Sequence, residues 1–305
     1  MHHHVVPPQY ADNSMPIKIP DTETQLQTMN GWQIRAAITS LTPRVVLSNP
    51  HRLREVARTC NEFQAKMVND HPSRFGSFAL LPLPDVDGAL QELTYALDVL
   101  HLDGVGLFSN MGGRYLGDPL FDPVFDELNR RQAVVFVHPT HCDAPEETHL
   151  RVPPFVVEYV FDTTRAIVNL VFTGTLKRCP GIRLIVAHGG GAVPFLAQRI
   201  SMLEGHRHAK EVTHVIPTLA SLYYEIASTT AGYALRSLQE LVEPTHILWG
   251  SDLPFVYGDR LQGEVAHWEE YDGFDSAARC AVEQFNALRL FPRLAEAGSE
   301  SRGQS

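Results

Sequence analysis

Short apolar segments alternate with helical segments along nearly the whole chain, and this alternation limits the possible folds more than any other feature. The predicted strands are 34–40, 75–83, 104–110, 133–139, 183–189, 222–228 and 246–252. The predicted helices lie near 51–70, 85–101, 121–131, 156–178, 193–204, 231–242 and 275–291. Strands that alternate with helices in this way indicate a parallel sheet with right-handed crossovers. Seven such strands and an N-terminal fragment predict an α/β fold of the (β/α)₈ TIM-barrel type, with the first strand largely missing.

The alternative is an open, doubly wound sheet, which we consider less favoured because no GxGxxG motif follows the first strand. No change of composition divides the chain before about residue 293. We therefore expect one barrel domain over residues 1–294. The small and polar residues of 295–305 predict a disordered C-terminal tail.

The segment LIVAHGGG at 184–191 is the clearest candidate for a site. Its apolar residues are typical of a strand that is buried on both faces, and His188 stands where that strand should end. The three glycines allow a tight turn and a close approach of the backbone to a ligand. A titratable residue at the C-terminal end of a barrel strand is typical of an active site, although a core histidine bonded to a neighbour is the simpler alternative.

Two other predicted strands end in the same kind of residue, at His138 and Asp252. At the start of the chain, His2 and His4 are two residues apart, so their side chains share one face of an extended segment while His3 points away. Three imidazoles and a carboxylate make a plausible ligand set for zinc or a similar divalent ion. A remnant of an expression tag is the alternative for MHHH. We expect the second histidine-rich segment, 206–214, to be a solvated loop.

The charge and cysteine content exclude several classes of protein. The chain has 25 basic and 35 acidic residues, a net charge of −10, which argues against a nucleic-acid partner or an anionic membrane surface. The four cysteines are far apart and form no CxxC motif, which indicates reduced thiols and a cytoplasmic protein. No apolar segment approaches the ~18 residues of a membrane helix.

Four motifs together resemble the metal-dependent decarboxylases of the amidohydrolase superfamily, in the branch related to aminocarboxymuconate-semialdehyde decarboxylase. They are HxHxxPPxY at 2–10, FVHPTH at 136–141, AHGGGAVPF at 187–195 and WGSDLPF at 249–255. The resemblance extends from His2 to about Phe291. Within the branch, TCNE at 59–62, DGVGLFSN, YLGDPLF and AVVFVHPTH resemble enzymes of the 6-methylsalicylate decarboxylase type.

The resemblance implies a role for each matched residue. His2, His4, His138 and Asp252 would bind one divalent metal ion, usually zinc, with manganese known among relatives. His188 would be the acid/base residue beside that ion. Arg44 would receive a carboxylate of a small-molecule substrate, and Phe255 would pack on its ring. The resemblance also implies a homodimer or homotetramer, in which Arg207 is a candidate for an arginine that crosses the interface.

The chain departs from this family at its start, where Met1 directly precedes His2 and the strand that normally comes before HxH is almost absent. We therefore expect His2 and His4 to be weakly positioned, with a start codon assigned too late as one explanation. Two reactions fit a site with one metal ion: non-oxidative decarboxylation of an aromatic or related unsaturated carboxylate, and hydrolysis of a lactone or amide. The fourth strand ends in Ser109 and Asn110, without the lysine that two-metal hydrolases of the superfamily commonly use. A non-catalytic binding protein is the third alternative.

Overall fold

Parallel strands lie side by side in chain order and curl into a barrel. The computed structural model describes residues 1–11, 17–49, 51–140, 151–206 and 212–295. Within this part the sheet has eight strands, in the order β1, β2, β3, β4, β7, β8, β9 and β10. Their bounds are β1 His3–His4, β2 Ala37–Ser40, β3 Phe75–Leu80, β4 Gly104–Phe108, β7 Val134–His138, β8 Arg183–Val186, β9 Tyr223–Glu225 and β10 Ile247–Leu248. The small antiparallel hairpin β5 Asn110–Met111 and β6 Arg114–Tyr115 follows β4.

The helices lie between the strands, as the alternation predicts. They are α1 Thr22–Gly31, α2 Pro43–Leu47, α3 Leu53–Asp70, α4 Val86–Thr94, α5 Asp122–Arg130, α6 Pro154–Phe172, α7 Thr175–Arg178, α8 Val193–Ser201, α9 Val215–Ala220, α10 Gly232–Gln239, α11 Asp259–Glu270, α12 Ser276–Cys280 and α13 Asn286–Leu290. None of the helices in the described residues is long and apolar enough to cross a membrane.

Two helices allow a comparison of the helix boundaries predicted from local sequence with those in the structure. The side chain of Asp85 caps α4 by accepting a hydrogen bond from the backbone N–H of Gly88 at 3.0 Å, as predicted. The predicted helix 156–178 ends at the right residue, Arg178, but its continuity is wrong, because α6 stops at Phe172 and α7 begins after Gly174. Gly174 has a φ of 74°, a left-handed conformation that interrupts a right-handed helix.

The first strand is only two residues long, yet it connects both ends of the sheet. His3 pairs with Thr39 of β2 on one side and forms a bridge with Leu253 on the other. The backbone N–H of His4 donates to the carbonyl of Leu253 at 2.6 Å, and that of Asp252 donates to the carbonyl of His2 at 2.8 Å. The barrel with a much reduced first strand is therefore confirmed. The expected weak positioning of His2 and His4 is wrong, because ladder bonds on both sides fix them next to Asp252.

Apolar side chains fill the inside of the barrel and form the floor of the site. The rings of Phe78 and Phe136 stack at 5.2 Å, and Phe291, just after α13, packs edge-on against Phe78 at 5.8 Å. Strands buried on both faces are typical of parallel sheets, and their apolar residues supply this inner layer. The ring of His2 lies 5.1 Å from that of Phe136, so the histidines stand directly on the inner core.

Candidate metal centre and active site

Three residues predicted from strand ends, His138, His188 and Asp252, meet His2 and His4 at the C-terminal mouth of the barrel. Nε2 of His2 lies 3.1 Å from Nε2 of His4, and these atoms lie 3.4 and 3.2 Å from Oδ1 of Asp252. The ring of His138 is 5.1 Å from that of His2 and 4.9 Å from that of His4. Nε2 of His188 lies 3.9 Å from Oδ2 of Asp252.

These spacings fit a single metal ion. Ligand atoms at about 2.0–2.1 Å from one ion lie about 3.3 Å apart in a tetrahedral site, close to the separations among His2, His4 and Asp252. The ligand nitrogens of His2, His4 and His138 also lie within 4.8 Å of one another. Three nitrogens and one oxygen suit zinc and related divalent ions. The donor set and its spacing therefore fit the metal ion that the strand ends predict.

Neighbouring groups orient two of the three histidine rings. Nδ1 of His138 lies 2.6 Å from the carbonyl oxygen of Pro139, and Nδ1 of His4 lies 3.4 Å from Oγ of Ser40. The Nδ1 atoms of the His138 and His4 rings thus contact groups that are not proposed metal ligands. Such outer contacts fix the ring orientation and leave Nε2 free to bind a metal ion.

Glu225 orients His2, and the sequence analysis missed it. Its Oε2 lies 2.7 Å from Nδ1 of His2, and its oxygens accept the backbone N–H groups of His188 at 3.3 Å and Ala227 at 2.5 Å. Burial favours the neutral acid, but the His2 charge outweighs this effect and lowers the pKa of Glu225. A Cβ at Gly250 would overlap the Glu225 carboxylate, so the glycine makes room for it.

Burial and mutual charge set the protonation of the site. Burial lowers the pKa of His4, and burial together with His4 and His2 holds the pKa of His138 well below its ordinary value. Burial would raise the pKa of Asp252, but interactions with His2, His188 and His4 outweigh it and place this pKa well below its usual range. The result is an ionised carboxylate beside two neutral imidazoles, which is the state that binds divalent metal ions.

Three of the site residues have a left-handed backbone, which is uncommon outside glycine. The φ angles are 54° at His2, 54° at His188 and 52° at Asp252. Each such residue costs on the order of 1–3 kcal/mol and persists only where the surrounding structure holds it. Here the backbone hydrogen bond from Asp252 to His2 and the bond from the His188 N–H to Glu225 supply that support, so the strain is concentrated where the site residues converge.

The glycines after His188 serve packing more than ligand approach. Gly190 and Gly191 have φ angles of 77° and 63°. A Cβ at Gly190 would meet the ring of Tyr224, and one at Gly191 would overlap the carbonyl of Val160 in α6. The turn thus lets α6 lie directly on the end of β8.

The two residues that resemblance assigns to substrate lie at the rim. Phe255 is half-buried, and its ring is 5.2 Å from that of His4. Arg44 is exposed in α2, which follows β2, and its charge acts on the phenol of Tyr159 in α6. Tyr159 was missed, because in the sequence it reads as an ordinary position of an amphipathic helix. Burial and the charge of Asp252 raise its pKa.

Ser109 and Asn110, where the two-metal hydrolases carry a lysine, bind a buried carboxylate. Oγ of Ser109 and Nδ2 of Asn110 both donate to Asp162 of α6, the latter at 2.9 Å. The backbone N–H of Thr140 donates to Oγ of Ser109 at 2.9 Å. These hydrogen bonds therefore fasten α6 to the ends of β4 and β7. If Ser109, Asn110 or Asp162 bound a second metal ion in place of the lysine, this hydrogen-bond network would break.

Some residues of the sequence analysis fall elsewhere. His206 and His214 are exposed, as expected for a solvated loop. Arg207, most of the segment between these two histidines, and the tail from residue 296 lie outside the described residues. His3 points away from the site, as predicted, and its Nε2 lies 2.9 Å from Oε1 of Gln25 in α1.

Comparison with known proteins places this site in a family. The family described as Amidohydrolase matches residues 1–293. Decarboxylase yanB of Aspergillus niger is 32% identical over an alignment that covers 96% of this chain and 87% of the relative. The 6-methylsalicylic acid decarboxylase acuB of Aspergillus aculeatus is 34% identical, with 88% of this chain and 84% of the relative covered.

Two solved structures share the fold. One is 2,6-dihydroxybenzoate decarboxylase complexed with 2,6-dihydroxybenzoate, with a TM-score of 0.82 and 22% identity over 95% of this chain and 96% of that one. The other is a dihydroxybenzoic acid decarboxylase from Polaromonas sp. JS666 with bound manganese and the inhibitor 2-nitroresorcinol, with a TM-score of 0.79 and 18% identity over 95% of each chain. The family match covers residues 1–293 of 305 and includes all four motifs and the eight strands of the sheet. This chain therefore belongs to the amidohydrolase family.

Proposed function

We propose that this protein is a metal-dependent carboxy-lyase that removes CO₂ from an aromatic acid with a hydroxyl ortho to the carboxylate, such as 6-methylsalicylate, without an oxidant. The observation that carries the proposal is the cluster of His2, His4 and Asp252 at spacings suited to one ion, with the ligand nitrogen of His138 within 4.8 Å of those of the two other histidines. It occurs in a chain whose relatives at 32% and 34% identity are decarboxylases.

We assign the metal ion to His2, His4, His138 and Asp252, with zinc as the first choice and manganese as the second. The donor set suits zinc, and a related decarboxylase holds manganese. A divalent ion in this position supplies positive charge that attracts the substrate carboxylate and its neighbouring oxygen. The small-molecule carboxylate is the partner that the site would take.

The remaining chemistry falls to residues of the chain. Arg44 at the rim receives the carboxylate, and Phe255 packs against the aromatic ring. The ionised Asp252 takes the proton of the ortho hydroxyl. Asp252 or His188 then delivers a proton to the ring carbon that bears the carboxylate, so that the former hydroxyl oxygen becomes the carbonyl of a dienone. The bond from this carbon to the carboxylate then breaks, CO₂ leaves, and the electron pair of that bond restores the aromatic ring. One proton is taken up for each CO₂ released.

The proposal is tested by measuring CO₂ release from a panel of salicylates and other hydroxybenzoates, with metal analysis on the same sample. We expect CO₂ from ortho-hydroxy acids and a phenol as the second product. Turnover of lactones or amides without CO₂ would favour a hydrolase with one metal ion. Binding of the acids with no turnover of any substrate would favour a non-catalytic binding protein.

We also propose a homodimer or homotetramer in the cytoplasm. Neighbouring helices α6, α8 and α10 expose large apolar side chains at Phe161, Phe195 and Tyr233. Exposed apolar side chains on adjacent helices are typical of a subunit interface. Cys60 and Cys179 are free and buried, in keeping with a reducing compartment. Light scattering on a sizing column should give two or four chains, and a monomer would contradict the assignment.

A further inference from the structure

Helix α6 crosses the mouth of the site and is fastened on its β4 side by one buried carboxylate. Asp162 is fully buried. It accepts hydrogen bonds from Oγ of Ser109, from Nδ2 of Asn110 at 2.9 Å and from the hydroxyl of Tyr115 at 2.6 Å. Three donors to one carboxylate hold this turn of the helix against β4 and the hairpin that follows it.

The same turn of α6 is fixed on its other side by the end of β8. The backbone N–H of Ala192 donates to Oγ1 of Thr164 at 2.9 Å, and that hydroxyl donates to the carbonyl of Val160 at 2.7 Å. Gly191 lies so close to Val160 that a Cβ there would overlap its carbonyl oxygen. The backbone around residues 160–164 is therefore held between two strand ends, and Tyr159 precedes it directly.

Tyr159 lies beside His138 of the candidate metal centre. Its half-buried ring packs edge-on against that of His138, with the centroids 6.4 Å apart. The hydroxyl makes no hydrogen bond to any residue in the described part of the chain, whereas the hydroxyl of Tyr115 is bound to Asp162. The charge of Asp252 raises the pKa of the phenol and that of Arg44 lowers it, so both charges influence this hydroxyl.

We propose that the hydroxyl of Tyr159 donates a hydrogen bond to a carboxylate oxygen of the bound aromatic acid, and that it thereby selects acids over the corresponding neutral phenols. This inference rests on the proposed function, because it takes the aromatic acid as the ligand. A neutral donor aimed at a carboxylate strengthens acid binding, and the product phenol, which lacks the carboxylate, gains nothing from it. The contact therefore also favours product release.

The test compares Tyr159→Phe with Tyr159 in the metal-loaded protein, with salicylate and phenol as the probes in titration calorimetry. Both proteins carry His188→Asn, so that salicylate binds without being turned over. Phenylalanine keeps the ring against His138, so the fold is retained. Tyr95→Phe is the matched control, because the Tyr95 hydroxyl bonds Glu62 on the outside of the barrel at 3.1 Å. We expect the Kd for salicylate to rise between about tenfold and about a hundredfold in Tyr159→Phe, with the Kd for phenol and the metal content unchanged.

Equal salicylate affinity in Tyr159→Phe and in the protein with Tyr159 would overturn the inference. An equal loss for salicylate and phenol would overturn it too, because it would indicate general damage to the pocket. CO₂ release by the wild type separates this inference from the proposed function. If the wild type releases CO₂ and Tyr159→Phe binds salicylate with unchanged affinity, only the role of Tyr159 is rejected. A wild type that neither binds salicylate nor releases CO₂ rejects both.

Discussion

Nδ1 of His2 lies 2.7 Å from Oε2 of Glu225, and both side chains are fully buried. The carboxylate also accepts the backbone N–H that precedes the His188 ring, at 3.3 Å. One side chain of β9 thus orients a proposed metal ligand and the proposed acid/base residue together. The pair connects the start of the two-residue first strand to β9, from which it is separated only by β10.

Glu225→Gln should weaken metal binding by about tenfold to a hundredfold, because a neutral amide is a poorer acceptor for the His2 N–H than a carboxylate. Competition against a coloured chelator measures this affinity. Glu283→Gln is the control, since Glu283 is exposed and its Oε1 accepts from Nε1 of Trp268 at 2.7 Å, away from the site. Equal affinity in Glu225→Gln and the control would contradict a positioning role.

His188→Asn should keep the metal ion and lose turnover by about 10²-fold or more, because the residue is proposed to deliver a proton and not to bind the ion. Metal analysis and CO₂ release on one preparation measure both quantities. Loss of the metal ion in this variant would mean that His188 is a ligand, and unchanged turnover would remove it from the proton path.

Asp252→Asn should lose both activity and metal affinity. The ionised carboxylate, whose pKa is held well below its usual range, is the one anionic group among the four proposed ligands. Replacing it by an amide removes that charge while keeping the shape. The decisive readout is the metal content after dialysis, and a variant that stays fully loaded would show that Asp252 is not a ligand.

His3 should make the metal-free protein less stable in acid. Burial is the main cause that lowers its pKa to about 4 in the folded protein, against about 6.5 in an unfolded chain. The folded state then binds fewer protons, so this contribution is complete above about pH 6.5 and is lost as the pH falls towards 4. The loss is about 3 kcal/mol at most.

The control for this prediction is His3→Gln, which keeps a polar side chain beside Gln25 but does not titrate. Urea unfolding at several pH values between 7 and 4 measures the free energy of unfolding of both proteins. The difference between wild type and variant should shrink or reverse in favour of the variant as the pH falls. Parallel pH profiles would contradict the buried, neutral state of His3.

The sequence predicted the parts of the site that a strand end reveals. His138, His188 and Asp252 each follow an apolar run, and a parallel barrel brings such ends together. Glu225 was missed because one glutamate in LYYEIAS carries no signal of its own. Its role depends on the hydrogen bond to His2 and on the room left by the missing side chain of Gly250, and neither neighbour is close in sequence.

The expectation that the first strand is weakly held is wrong for a similar reason, because its partners are also distant in sequence. Its two residues cannot define a strand by pattern, but they pair with β2 and with Leu253, which lies some 250 residues further on. Tyr159 and Asp162 likewise carry no signal in the sequence beyond their place in a predicted helix. Their roles arise from the way α6 packs on the ends of β4 and β8, which periodicity within a helix does not report.

The most direct test of the account is to follow CO₂ release from an ortho-hydroxybenzoate while zinc or manganese is titrated into metal-stripped protein. One ion held by His2, His4, His138 and Asp252 predicts no CO₂ from the stripped protein and activity that rises to a plateau at one ion per chain. CO₂ release from the stripped protein, or a plateau at two ions per chain, would contradict it.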